Sequence, residues 1–197
     1  MTLDDVPRET SVLIERLKGL VLAESARQNL ISASTIESFD QRHIVDSLQL
    51  ASFALERSLL DIGSGGGFPG LVLACINTSP VHLVEPRAKR AAFLHDAATE
   101  LGLGHVRVHA SKVERVELAP VRTITARAVA NLDALFAMAQ HLSDENTRWV
   151  LPKGRGAASE LEVARRTWQG DFRLVPSVTD AEAAIVIAEG VRRRRAR

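Results

Sequence analysis

One stretch limits what this chain can fold into more than any other: Ser58-Leu59-Leu60-Asp61-Ile62-Gly63-Ser64-Gly65-Gly66-Gly67-Phe68-Pro69-Gly70. Leu59, Leu60 and Ile62 form a short apolar run that reads as a buried strand, with Asp61 interrupting it at the end. Eight residues follow from Gly63 to Gly70, and five of them are glycine. Pro69 stands where a first helical residue is wanted, because its ring fixes φ near the helical value and it has no N–H to leave unpaired. Leu71 to Ile76 then continues as helix. A strand that ends in bare main chain and restarts as a helix makes a concavity at the positive end of that helix, where a ligand can lie against the backbone. The stretch therefore reads as a cofactor loop.

Two cofactor chemistries use such a loop. Gly65-x-Gly67-x-x-Gly70 fits the dinucleotide pattern, with an acid about 20 residues further on. Asp61-x-Gly63-x-Gly65-x-Gly67 fits instead the acid–glycine pattern of S-adenosylmethionine (SAM) methyltransferases, in which Asp61 ends the strand beside the cationic methionine part of the cofactor. A nicotinamide cofactor has no cation to hold at this point, and a lone carboxylate would repel its pyrophosphate. Asp61 tips the reading toward SAM.

A chain of 197 residues fits one compact domain with a small extension. Its 25 Lys and Arg nearly cancel 24 Asp and Glu, so any nucleic-acid contact must come from local clusters rather than net charge. The sole cysteine, Cys75, falls on an apolar helical stretch and reads as packing in a reducing compartment. No apolar run approaches the roughly 20 residues of a membrane span. The acidic start, MTLDDVPRET, lacks the form of a signal peptide. The expectation is a cytoplasmic monomer away from any membrane. No zinc-ligand spacing, nucleophile elbow or acid pair suited to hydrolysis stands out, and no metal is expected.

Helical spacing predicts a helix over Thr10–Gln28, from Val12, Leu13, Leu17, Leu20, Val21 and Ala23. A second, broken helix is predicted from Ser34, where Ser34-x-x-Glu37 matches a capping box, through Leu50. Beyond the first strand the elements alternate: strands at Val81–Glu85, Val106–His109, Val121–Ala126 and Arg148–Leu151, with helices at Ala88–Leu101, Leu132–Leu142 and Ala158–Trp168. Phe172–Pro176 and Ala183–Ala188 are strands with too short a link for a parallel crossover, so they should pair antiparallel. This is an α/β pattern: a doubly wound, mostly parallel, seven-stranded Rossmann-like sheet with one reversed strand, the architecture of SAM-dependent methyltransferases. Residues 1–57 read as a helical extension packed on the core, 58–190 as the methyltransferase domain, and 191–197 (VRRRRAR) as a mobile basic tail suited to phosphate backbones.

In such a sheet the ligand lies at the carboxyl ends of the strands. Those ends offer Asp61 with Gly63, Gly65 and the covering Phe68; Glu85, whose two oxygens suit ribose hydroxyls, or which caps the next helix; and Ser111-Lys112-Val113-Glu114, whose backbone groups are placed to read the adenine edge. The fourth strand ends at Arg127, set among small apolar residues, with a fork that suits a carboxylate or a phosphate; the alternative is an internal ion pair with Asp61 or Glu85. Lys153 follows the fifth strand on a short loop. Arg42, His43, Asp46 and Ser47 form a separate cluster, either a helical salt bridge with a capping histidine or a polar lip for substrate.

Asn29-Leu30-Ile31, Arg42-His43-Ile44-Val45-Asp46-Ser47, the Asp61–Gly70 loop, Lys89-Arg90 with Phe93-Leu94, Thr125-Ala126-Arg127-Ala128-Val129-Ala130 and Leu151-Pro152-Lys153-Gly154 occur in order and at fitting spacing. In these the chain closely resembles the bacterial small-subunit ribosomal RNA guanine-N7 methyltransferases, the RsmG family, once called glucose-inhibited division protein B. The resemblance covers about Gln28 to Gly154. It implies SAM contacts at Gly63, Phe68, Val113, Glu114 and Arg127. It also implies a target guanine in the 530 loop of 16S rRNA, with the small ribosomal subunit or its assembly intermediate as partner. Arg42, His43, Arg127 and Lys153 are then the candidates for holding RNA. Guanine N7 carries a free lone pair, so no general base is expected. Two other readings stay open on the residues: a nicotinamide-dependent oxidoreductase using Gly65–Gly70, and a non-catalytic rRNA-binding protein acting through Arg192–Arg197.

Overall fold

The computed structural model describes residues 5–54 and 57–195. The first four residues of the acidic start and the last two of the basic tail lie outside them. Seven strands form one sheet: β1 Leu59–Ile62, β2 Val81–Val84, β3 Val106–His109, β4 Thr123–Ala126, β5 Arg148–Lys153, β6 Trp168–Pro176 and β7 Ala184–Arg193. Their order is β3-β2-β1-β4-β5-β7-β6. β1 to β5 run parallel, while β7 pairs antiparallel with both β5 and β6. The mostly parallel sheet with one reversed strand matches the sequence reading.

Helices cover both faces: α1 Arg8–Gln28, α2 Asp46–Leu48, α3 Ala51–Ala54, α4 Gly70–Ile76, α5 Ala88–Glu100, α6 Leu132–Ala139 and α7 Ala157–Thr167. Every residue of β1 is buried, and its side chains alternate between two cores. Leu59 joins the cluster of α1, α4 and α5, built on Leu17, Leu71 and Leu94. Leu60 and Ile62 join the cluster of α6 and α7, built on Phe136, Trp149 and Trp168. The period of two therefore sets Asp61 on the Leu59 face, toward α4. This one fact decides its role.

The structure departs from the sequence reading in several places. The segment from Ser34 to Leu50 is not one helix. A 3₁₀ turn at Ala33–Thr35 is followed by a π turn at Asp40–Val45, and only then come α2 and α3. The capping box is not made: Ser34 Oγ meets Ser32 Oγ at 3.0 Å, and Thr35 Oγ1 donates to the Ser32 carbonyl at 2.9 Å. Such local side-chain bonds compete with helix. Pro152 and Lys153 belong to β5, opposite Ile185 and Ala184, rather than to a loop. The β4 ladder stops at Val150, so Pro152 has β7 alone beside it.

Trp168 opens β6 instead of closing the preceding helix. Finally, Val191, Arg192 and Arg193 are strand, not mobile tail. Val191 is buried and carries β7 past Gly190, and Arg193 pairs with Trp168. The Arg194 N–H donates to the Thr167 carbonyl at 2.8 Å, and its Nε to the Arg165 carbonyl at 2.8 Å, so the run is clipped to the end of α7.

Candidate active site

The loop after β1 is held open from beneath by two carboxylates. Asp61 is fully buried. Its Oδ2 accepts from the Gly70 N–H at 3.1 Å and its Oδ1 from the Thr125 hydroxyl at 2.8 Å. Burial pushes this carboxyl up to about 6, against the opposing bonds from Thr125 and Gly70 and the charge of Arg127. Asp61 thus fastens the start of α4 to β4 from beneath the loop. Glu85, also buried, accepts from the Gly65 N–H at 3.0 Å through Oε2 and from the Arg87 N–H at 2.9 Å through Oε1. It braces the loop and caps α5 at once.

Contact excludes a side chain at both Gly63 and Gly70. Gly63 has φ of +67°, and a Cβ on it would lie 2.6 Å from Cγ2 of Val129. A Cβ on Gly70 would lie 2.6 Å from Oδ2 of Asp61. The Gly63 and Ser64 N–H groups both donate to the Val84 carbonyl, at 2.8 and 3.1 Å.

At the rim of the loop, Phe68 stacks on His43, with ring centroids 4.9 Å apart, and meets Phe39 edge-on at 5.7 Å. Arg127 lies over the same Phe68 ring at 5.5 Å. Its Nη1 donates to the Arg42 carbonyl at 2.8 Å and to Asp46 Oδ2 at 3.1 Å, and its Nη2 approaches His43 Nδ1 at 3.1 Å. The ion pair of Arg127 is therefore with Asp46, not with Asp61 or Glu85. Arginine only donates, so Nδ1 of His43 is the acceptor and the ring proton sits on Nε2, facing Thr35 Oγ1 at 3.0 Å. Burial pulls His43 down to about 4, the Arg127 charge adding to the effect and Asp46 opposing it. The ring is neutral.

Beside this cluster opens a cleft of about 720 Å³, between Arg42, Asp46 and Arg127 on one side and Lys153, Thr179 and Ala184 on the other. Lys153 reaches back from β5, donating to the Ala130 carbonyl at 2.7 Å and pairing with Glu160 at 2.8 Å. Glu160 also accepts from the Leu132 N–H at the start of α6. Lys153 therefore fixes the loop that carries Arg127, Ala128 (φ of +56°) and Val129. Arg42 is exposed on the cleft and has no carboxylate partner among the described residues.

The structure brings together Asp61, Gly63, Gly65, Phe68, Glu85 and, at the rim, His43 and Arg127. Val113 and Glu114 follow β3 on a 3₁₀ turn, Val113 buried in the cluster with Ile62 and Val84 and Glu114 exposed. No hydrogen bond joins these two to the glycine loop among the described residues. Sequence reasoning gave no role to Thr125, Val129, Thr35 or Glu160. Thr125 carried a usable signal, since it stands two residues before Arg127 on a strand. The partners of Val129 and Glu160 lie too far along the chain to be read.

The fold is that of SAM-dependent methyltransferases. An O-methyltransferase from Bacillus cereus, solved in complex with SAH, superposes with a TM-score of 0.60 over 94% of this chain and 93% of that one, at 15% identity. A SAM-dependent methyltransferase from Aquifex aeolicus gives a TM-score of 0.60 over 81% of this chain and 98% of that one, also at 15% identity. Nearer relatives are found in sequence. The ribosomal RNA small subunit methyltransferase G of Rhizorhabdus wittichii is 48% identical over 96% of this chain and 89% of its own length. The protein of the same name from Zymomonas mobilis is 41% identical, over 93% and 87%. The model of one family, described as rRNA small subunit methyltransferase G, matches residues 12–185, and the chain belongs to that family.

Proposed function

We propose that this protein transfers the methyl group of S-adenosylmethionine to N7 of a guanine in the 530 loop of 16S ribosomal RNA. The family supports methyl transfer to small-subunit rRNA and sets the nicotinamide reading aside. The residues present also fit the cofactor: a bare main-chain cradle, closed by Val129 over Gly63 and braced by Glu85 at the end of β2. Bound there, SAM supplies an electrophilic sulfonium methyl. Glu85 and the loop backbone would hold its ribose and methionine parts, and Phe68 would cover it.

One observation carries the choice of N7. The imidazole and carboxylates beside Arg127 and Lys153 are already engaged: His43 by Arg127 and Thr35, Asp46 by Arg127 and Thr179, Glu160 by Lys153. Such a site aligns and desolvates a nucleophile rather than deprotonating one, and guanine N7 needs no deprotonation. Alignment of this kind is worth several kcal/mol, on the order of 7 or more in favourable cases. Arg42, exposed at the cleft, and Arg127 then orient phosphate rather than take part in bond making.

The test is transfer of labelled methyl from SAM to small-subunit particles from a strain lacking the gene, followed by nucleoside identification. Label recovered as 7-methylguanosine in the fragment holding the 530 loop is the expected result. Label on another atom, or in another fragment, overturns the reading. Absence of transfer favours an rRNA-binding protein without catalysis.

A further inference from the structure

The parallel strands all begin at the edge of the sheet opposite the glycine loop, and that edge carries a second polar cavity. It is about 460 Å³ in volume and is lined by Arg57, Ser58, Ser79, Pro80, Arg122 and Asn146. These residues immediately precede β1, β2, β4 and β5. Both arginines are exposed, and neither guanidinium has a carboxylate partner among the described residues. The lining contains two guanidiniums, two serine hydroxyls and a carboxamide, and no acid. Asp144 and Glu145, exposed on the turn that carries Asn146, line no part of it; Asp144 is turned onto the Asn146 N–H at 2.8 Å.

The strand register adds to this edge. β7 runs from Ala184, beside the cleft, to Arg193, opposite Trp168. Ten residues of strand cover about 30 Å. Arg192 and Arg195 are exposed, and α7 ends with exposed Arg166 on the same side. The basic run is held there by the bonds of Arg194 to α7, so its charge is fixed at the far edge and cannot fold back over the cofactor loop.

We infer that the cavity at Arg57 and Arg122, continued by Arg192, is a phosphate-binding surface. It would grip the RNA backbone of the same substrate roughly 17 Å from the cleft, the reach of the five residues of strand from Arg122 to Arg127. The inference rests on the rRNA reading above. The chemistry favours phosphodiester: guanidinium forks take phosphate oxygens in pairs, and serine and asparagine complete the donor set. A grip on backbone alone reads no sequence but fixes register, leaving selection of the base to the cleft.

The test compares the parent with an Arg57→Gln, Arg122→Gln double variant, measuring affinity for small-subunit rRNA at a series of KCl concentrations. Loss of two phosphate contacts makes the slope of log affinity against log salt shallower by roughly 1.5. Affinity at the lowest salt falls about tenfold by the same counterion argument, and S-adenosylhomocysteine affinity stays at the parental value. The Arg57→Lys, Arg122→Lys variant should restore most of the slope. An unchanged slope in the glutamine variant overturns the inference, as does equal weakening at every salt concentration. Should the parent transfer no methyl to any particle, the proposed function fails, while this comparison still decides whether the edge binds RNA.

Discussion

Arg127 Nη2 lies 3.1 Å from Nδ1 of His43, and that single contact fixes the protonation state of the residue stacked on the cofactor loop. A guanidinium cannot accept a proton, so the imidazole must offer its lone pair. Protonating His43 would break the contact and set two cations against each other.

The first prediction follows from that contact. His43 titrates near 4 in the folded protein, well below the usual histidine range. Replacing Arg127 with Met removes both an adjacent charge and the donor, and moves the titration upward. Ring-nitrogen NMR shifts followed against pH give the value, and they report the Nε2–H tautomer directly. A titration in the parent near the ordinary value would refute the assignment.

Stability should respond to pH through two groups that oppose each other. Asp61 has its folded value raised from 3.8 to about 6, so its contribution is present at low pH and lost as pH rises through that window. His43 has its value lowered from 6.5 to about 4, so its contribution is present above that window and lost as pH falls through it. Asp61→Asn should gain stability relative to the parent as pH rises from about 4 to about 6, by about 2–3 kcal/mol. His43→Gln should gain relative to the parent as pH falls over the same range. Urea unfolding at several pH values reads both slopes, and slopes of the same sign would contradict the assignment.

A methyl group at Gly70 has nowhere to go. Its Cβ would sit 2.6 Å from Oδ2 and 2.9 Å from Cβ of Asp61, both on a fully buried residue. Gly70→Ala is expected to cost about 1–3 kcal/mol, even though alanine is the better helix former. Gly154→Ala meets open space and serves as the control. Equal denaturation midpoints for the two variants would show that the loop gives way.

Ligand-dependent melting separates the two cofactor classes that the glycine pattern left open. S-adenosylhomocysteine at a hundredfold excess over its Kd adds about 2.7 kcal/mol, or roughly 5–10 °C in Tm for a domain of this size. NAD at the same concentration should leave the Tm unchanged. A shift with NAD alone would reverse the assignment.

The sheet was legible because β1 to β5 are short apolar runs separated by helical spacing, and Leu59, Leu60 and Ile62 have no other way to be buried. The direction of Asp61 was legible too, had the alternation from Leu59 been followed. Other features depend on contacts that local pattern does not encode. Asp46 reads as the i,i+4 partner of Arg42, yet it pairs with Arg127, 81 positions away. The arginine run reads as solvated charge, yet buried Val191 and the backbone of Thr167 draw it into the sheet. The break at Ser32–Thr35 arises from hydroxyls that satisfy one another, a choice that helical spacing cannot anticipate.

Asp46 has a wider consequence. It receives Arg127 from the β4 side, Gln49 from its own segment and Thr179 from the β6–β7 connection, and Gln49 in turn receives the Val178 N–H. Three stretches remote in the chain are thus tied to one carboxylate. The walls of the cleft cannot part separately: its width is already set, and widening it means dislodging these ties together.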